Sequence, residues 1–444
     1  MSSSQLKTVW VWLPGQTHPI IAGRFEIQIR AGQPIGSFVY DPTYVAHATS
    51  FSLDPAHLVL NHKRPDKKYE TRLNKGLFGV FRDVCPEGYG RDLLNYRFGR
   101  EDEPLSDMDL LEKSVGDSVG AIEICDDIKA KLDSSVSPSL SCLVDALSDL
   151  SPERAASHAV HRMYEIGTSM GGERPKLTVH DDDSQWLAKL QDRGDAPHMP
   201  ARENVAMRLG RLCGLNAAEV RFIRTPNQHE LVLVKRFDRL GIDGQRIPYL
   251  SAHTALGLDI GTLPGHRSRS YLALADRGRR MGVGEEDIKE IWKRMAFNAL
   301  INNVDDHPRN HGFVRVDGQW RLAPAFDLVP LMRKNDGIGP ILAMSVTRSG
   351  ERQAGVTQLL ESSRHFGLKP REAAAWLIES ASTINDRWLA EMLQAGVSEE
   401  FCTSRQIASF TFAKMIASSP ELTLNAADHL GKGTSGVKRQ SGSS

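Results

Sequence analysis

At 444 residues the chain is too long for one ordinary core, so two or three domains are expected. Its 40% apolar and 25% charged residues are the profile of a soluble globular protein, and 55 basic residues balance 55 acidic ones, which excludes a net field driving nucleic-acid or membrane binding. The five scattered cysteines (Cys85, Cys125, Cys142, Cys213, Cys402) lack a C-x-x-C pair, no signal peptide opens the chain and no apolar run approaches a membrane span, so a cytoplasmic protein without a disulfide framework, zinc site or membrane partner is expected.

Residues 8–40 alternate apolar and polar positions through VWVWL, GRFEIQIRAG and IGSFVY, which predicts short antiparallel strands. The pattern turns helical from Gly76 to Phe98, with a break at Pro86-Glu87-Gly88, and residues 107–124 give a second helix and a Gly-punctuated strand. Between Cys125 and Ser157 the composition shifts to Ser, Asp and Lys around a short amphipathic helix, SLSCLVDALSDL, the pattern of a linker region. Residues 163–235 read as strand, Gly-rich loop, hairpin, helix and strand, and the chain is then mostly helical to about Leu430. The last dozen residues lack apolar content and are expected to be disordered.

GTSMGGERPK (167–176) leads into the strand-like KLTV. Paired glycines in a strand–loop–strand let backbone N–H groups approach phosphate oxygens, although an ordinary glycine hairpin has the same look. Lys189 lies eighteen residues beyond Gly171, on the strand face opposite Trp186, Ala188 and Leu190. It is either a solvated lysine or a cation for the α- and β-phosphates of a nucleotide. Fourteen residues on, Glu203 opens an amphipathic helix with Val205, Leu209, Leu212 and Cys213 on one face. There it either compensates the helix dipole or orients Lys189 through a salt bridge. The run LVLVKRFDR (231–239) is an edge strand ending in a charged turn, or a hinge whose backbone and Phe237 meet an adenine ring.

The most specific cluster is NVDDHPRN (303–310), followed seventeen residues after Asn310 by Asp327 in AFDL, across a hairpin with an Asp-Gly turn. Phosphoryl transfer needs one carboxylate to take the proton of the attacking hydroxyl, and a carboxamide with a second carboxylate to hold magnesium. Asp305, Asn310 and Asp327 supply these groups in that order. Loop-capping residues would look similar. His307 has no second histidine at ligand spacing, so a structural or nucleotide-contacting role suits it.

These motifs, with DLLEKSVGDSVGAIEI (109–124), VKRFDR (234–239), NNVDDHPRNHGF (302–313) and PAFDLVP (324–330), resemble the HipA family of bacterial toxin kinases over most of the chain. The resemblance implies an α+β, bilobal protein-kinase-like fold with an extra N-terminal β-rich subdomain (1–125), a linker region (126–160), the nucleotide-binding part of the N-lobe (161–236), a mainly helical C-lobe (237–430) and a disordered tail (431–444). It implies a serine/threonine protein kinase with Asp305 as catalytic aspartate and Asn310 and Asp327 as Mg2+ ligands. Lys189 would sit on the ATP phosphates, Met170, Gly171, Gly172, Glu173 and Arg174 would form the phosphate loop, Lys235, Arg236 and Phe237 the adenine hinge, and His307 a further nucleotide contact. Family members phosphorylate aminoacyl-tRNA synthetases, which produces dormant, drug-tolerant cells. A helix-turn-helix antitoxin, usually HipB, neutralises them, and the pair represses its own operator DNA. Autophosphorylation would fall on Thr168 or Ser169. A catalytically silent co-repressor and a small-molecule kinase are the competing readings. The arginines Arg267, Arg269, Arg277, Arg279 and Arg280 are either a solvated helix face or a DNA contact.

Overall fold

The computed structural model describes residues 5–99, 103–135, 137–151, 176–191, 194–241, 244–331, 338–403 and 410–432. Two compact units divide the chain. One is Met1–Pro200, Ala218–Thr262 and His311–Pro324; the other is Ala201–Ala217, Leu263–Asn310 and Ala325–Ser444.

All the described strands belong to the first unit. The alternating segments form β1 (Gln5–Val11), β2 (Ile20–Arg30) and β3 (Gln33–Tyr40), which with β4 (Lys68–Thr71) and β5 (Ile122–Ile124) make an antiparallel sheet of order β4-β3-β2-β1-β5. Half-buried alternation fixes the register, because a one-residue slip would expose Phe25 and Phe38. These two rings meet Phe78 and Phe81 edge-on, with centroids 4.9–6.5 Å apart. Gly36 of β3 is a close approach: a Cβ there would fall 1.8 Å from the Gly76 carbonyl oxygen.

A second sheet has the order β6-β7-β9-β8, from β6 (Lys176–Asp181), β7 (Ser184–Leu190), β8 (Val220–Arg224) and β9 (Glu230–Lys235). The expected amphipathic helix is Leu140–Ser148, and it is a packed element. Leu143, Leu147 and Leu150 join Leu177, Val179, Trp186 and Leu233 in one core. After the short β10 (Arg239–Leu240) and β11 (Gln245–Arg246), β12 (Tyr249–Ser251) pairs with β13 (Gly312–Val316), which pairs with β14 (Gln319–Leu322). The β13–β14 turn is Asp317-Gly318, with φ of 50° and 79°. Both central residues are left-handed, the two-residue hairpin conformation that Asp-Gly favours.

The two family-like motifs of this unit are joined by buried charge. Arg236 donates to Asp238 at 2.8 Å and to Asp117, and Arg239 donates to Asp238 at 2.7 Å. Arg246 donates to Glu123 at 2.9 Å, and Lys131 pairs with the other Glu123 oxygen at 3.1 Å. Burial alone would raise the Glu123 carboxyl, but Lys131 and Arg246 hold it down at about 2.

The second unit is helical. Helix Glu285–Leu300 is buried continuously from Arg294 to Leu300, and its Trp292 indole donates to Leu359 O at 2.9 Å. Helix Pro370–Gln394 packs against Thr411–Ser418 and Pro420–Lys432. Helix Met199–Leu212 begins earlier than its sequence pattern suggests, so Glu203 stands in its second turn. Leu212, expected on the apolar face, is exposed, while Ala201 to Met207 are all buried.

Candidate phosphoryl-transfer site

The loop after helix Glu285–Leu300 is built by asparagines. Asn302 takes a left-handed φ of 56°, which stops the helix, and its amide donates to Leu331 O at 2.9 Å. Leu331 returns its N–H to Asn302 O at 3.2 Å. Asn303 is buried, donating to Asn298 Oδ1 at 2.9 Å and to Asp327 O at 3.5 Å. These bonds tie segment 302–310 to segment 325–331. Asp327 itself holds a left-handed φ of 59°, a conformation Asp tolerates better than most residues.

Within this frame the adjacent carboxylates differ. Asp305 is exposed. Asp306 is buried and accepts the Tyr271 hydroxyl; burial, and then the Asp306 charge, push that phenol well above its usual range. Asn310 closes a short turn over Pro308–Asn310, its N–H on His307 O at 2.9 Å and its amide on Asp305 O at 3.4 Å. That contact uses the amide nitrogen and not the carboxamide oxygen. Asp305, Asn310 and Asp327 thus come from two segments stitched side by side. The imidazole Nδ1 of His307 is buried without a hydrogen-bond partner among the described residues.

In the first unit, Lys189 lies on the partly exposed face of β7, and the buried Trp186, Ala188 and Leu190 form the other face, as the alternation requires. Lys176 of β6 stands directly opposite Lys189. Lys176 was not singled out by sequence reasoning, although its place at the end of the glycine loop was a usable signal. At the end of β9, Lys235 pairs with Glu219 at 3.3 Å, and Phe237 packs on Tyr249 with ring centroids 5.9 Å apart. Arg236 turns its side chain into the interior. Its guanidinium is enclosed by Asp117, Thr178, Ser118 and Asp238, and its backbone N–H donates to Gln185 O at 2.9 Å. Its side chain therefore positions the strand end and is not available to a base.

Glu203, in the second unit, is only 3% exposed. It stands beyond the first turn, where the helix dipole has fallen off. Thr168, Ser169, Met170, Gly171, Gly172, Glu173 and Arg174 lie outside the described residues. Sequence reasoning missed Tyr271 and the Asn298–Asn303 pair. The double asparagine after an apolar helix was a signal for a capped turn; Tyr271 gave none.

The HipA N-terminal domain matches residues 20–125, and the HipA-like C-terminal domain matches residues 168–388. The two matches cover well over half of the chain, which belongs to the HipA family. Among curated relatives, the toxin YjjJ of Escherichia coli K12 is 26% identical over 184 residues, 39% of this chain and 40% of that protein. The serine/threonine-protein kinase toxin HipA of Shewanella oneidensis MR-1 is 26% identical over 151 residues, 30% of this chain and 34% of that protein. The matched stretches span less than half the length of either relative. The solved Shewanella oneidensis HipA, in a complex with HipB and its operator DNA, superposes with a TM-score of 0.62 at 17% identity. That superposition covers 95% of this chain and 99% of the other, so the α+β HipA-like fold is shared.

Proposed function

We propose that this chain is an ATP- and magnesium-dependent serine/threonine protein kinase that acts as the toxin of a toxin–antitoxin pair. The observation that carries the reading is the stitching of segments 302–310 and 325–331 by Asn302 and Asn303. It holds an exposed carboxylate, a carboxamide and a second carboxylate on neighbouring backbone. In this reading Asp305 accepts the proton of a substrate hydroxyl as its oxygen bonds to the γ-phosphorus, the bond to the β–γ bridging oxygen breaks and ADP leaves. The donor set of Asn310 and Asp327 is all oxygen, which suits magnesium and not a soft metal. Bound there, the ion would neutralise phosphate charge. Lys189, oriented by Glu203, with Lys176 beside it, would hold the phosphates, and residues 170–174 would cover them. Lys235, Phe237 and the Arg236 carbonyl would frame the base, and His307 Nδ1 would accept from the nucleotide.

The family and the operator complex of a relative support a HipB-like helix-turn-helix antitoxin as partner, with operator DNA reached through it, and a translation component such as an aminoacyl-tRNA synthetase as substrate. Among the described residues no helix is long and apolar enough to cross a membrane. Self-modification on Thr168 or Ser169 would add about two negative charges to a loop that receives ATP's own phosphates and so switch the enzyme off.

Incubation with labelled ATP and a cell extract tests the function. Label on one protein, lost in Asp305→Ala, is expected; label on small metabolites alone, or none, overturns it.

A further inference from the structure

Three segments distant in sequence meet at the hydroxyl of Thr178. This residue of β6 is 3% exposed and donates to Asp117 Oδ2 at 2.6 Å. It also accepts from Arg236 Nη1 at 3.0 Å, and the same guanidinium nitrogen donates to Asp117 Oδ1. Asp117, Thr178 and Arg236 thus close a ring of three side chains. Asp117 comes from the run SVGDSVG (114–120), well ahead of the second sheet in the chain. The ring is braced from outside as well: Gly120 N donates to Asp238 Oδ2 at 2.7 Å, and Ser137 Oγ donates to Thr178 O at 2.9 Å.

Register puts this ring and Lys189 on one face of the second sheet. Lys176 stands opposite Lys189 and Thr178 opposite Leu187, so both β6 residues share the face of Lys189. Leu187 and Lys189 pair in turn with Val234 and Val232 of β9. Arg236, one residue past that strand, carries the ladder on through its N–H on Gln185 O at 2.9 Å. A rise of about 3.3 Å per residue separates Gln185 from Lys189 by roughly 13 Å, the scale of an extended nucleoside triphosphate. One end holds the lysines that would take the phosphates, and the other leads into Phe237 beside the base. Between β6 and β9 lies β7, and the ring joins the two outer strands across it. Arg236 and Arg239 already balance the charge of Asp117. The Thr178 hydroxyl therefore adds direction and not charge.

We infer that Asp117 and Thr178 are positioning residues for the nucleotide: through Arg236 they set the distance between the strand end that frames the base and the lysines that hold the phosphates. The inference rests on the kinase reading and gives that site a support from outside the nucleotide-binding segment. A two-ended ligand gains from its second contact only when both half-sites stand at its span. Loosening the ring should therefore weaken ATP and spare its halves.

The test titrates the full chain calorimetrically, with magnesium present, against a nonhydrolysable ATP analogue, adenosine and tripolyphosphate. Thr178→Val keeps the side-chain shape and the Asp117–Arg236 ion pair, and water can reach the half-buried Asp117 in place of the lost donor. It should weaken the analogue by about fivefold or more and leave adenosine and tripolyphosphate within about twofold. Thr178→Ser, which restores the hydroxyl, should bring the analogue back to within about twofold of wild type. Asp117→Asn keeps the shape, removes the charge facing Arg236 and should reproduce the valine pattern. Equal weakening of all three ligands, or a loss confined to one half, overturns the inference, because it marks general damage or a direct contact. Unchanged analogue affinity in Thr178→Val and Asp117→Asn, or a serine variant as weak as the valine one, overturns it too. A wild-type chain that neither binds the analogue nor transfers label sinks the kinase reading instead.

Discussion

Tyr271 donates its hydroxyl to the carboxylate of Asp306, and this bond separates two adjacent aspartates by role. Asp306 is anchored in the interior, so its neighbour is turned toward solvent. The pair behaves as a post and a tool.

Asp305→Ala should abolish phosphoryl transfer while costing less stability than the change at its neighbour, because Asp305 is exposed and Asp306 is buried. Asp306→Ala should instead destabilise by roughly 1–3 kcal/mol, because it strands a buried phenol. Kinase assays and urea unfolding of both variants would show the contrast, and an equal loss of stability would refute it.

Asp327→Asn should keep its melting temperature, since Asn also tolerates the left-handed backbone, yet lose activity by several orders of magnitude and need more magnesium. Asp327→Ala should add about 1 kcal/mol of strain to the same catalytic loss. Turnover equal to wild type in Asp327→Asn would remove that residue from the site.

Lys189→Met should weaken ATP binding, and Lys176→Met should weaken it less. Both variants should still unfold in one cooperative thermal transition, which separates lost affinity from lost fold. Calorimetric titration with a nonhydrolysable ATP analogue reads the first effect and thermal unfolding the second. Unchanged affinity in both variants would place the phosphates elsewhere.

The Glu123 carboxyl, held at about 2 when folded, lies below its unfolded value of about 4.3. A depressed acid stabilises the fold fully above the unfolded value and loses that contribution as pH falls toward the folded one. Urea unfolding should therefore show stability declining between about pH 4.3 and 2. In Glu123→Gln that decline should flatten, while stability at pH 7 falls by about 3–5 kcal/mol because Arg246 and Lys131 lose their partner.

The front strands were legible because each is half-buried, so β2 and β3 alternate in plain sight, and the β13–β14 turn was legible because Asp-Gly admits few conformations. The order Asp305, Asn310, Asp327 could be read as chemistry, but not the stitching that unites them, since Asn303 and Asp327 are distant in sequence and meet through a carbonyl. Charge hides burial. Arg236 and Glu203 look like surface residues in one dimension, and only burial shows that each is part of the interior. Helix Met199–Leu212 starts ahead of its apolar pattern because Pro200 suits a first turn, which moved Glu203 out of the dipole's reach.

The ionic knot between residues 117–131 and 236–246 has a consequence for any minimal enzyme cut from this chain. Trimming away the first 131 residues would strip Arg236, Arg239 and Arg246 of Asp117 and Glu123, leaving three interior cations to share Asp238. The amputated remainder would inherit an unneutralised heart. The β-rich front is a counterweight that the ATP-handling half cannot shed.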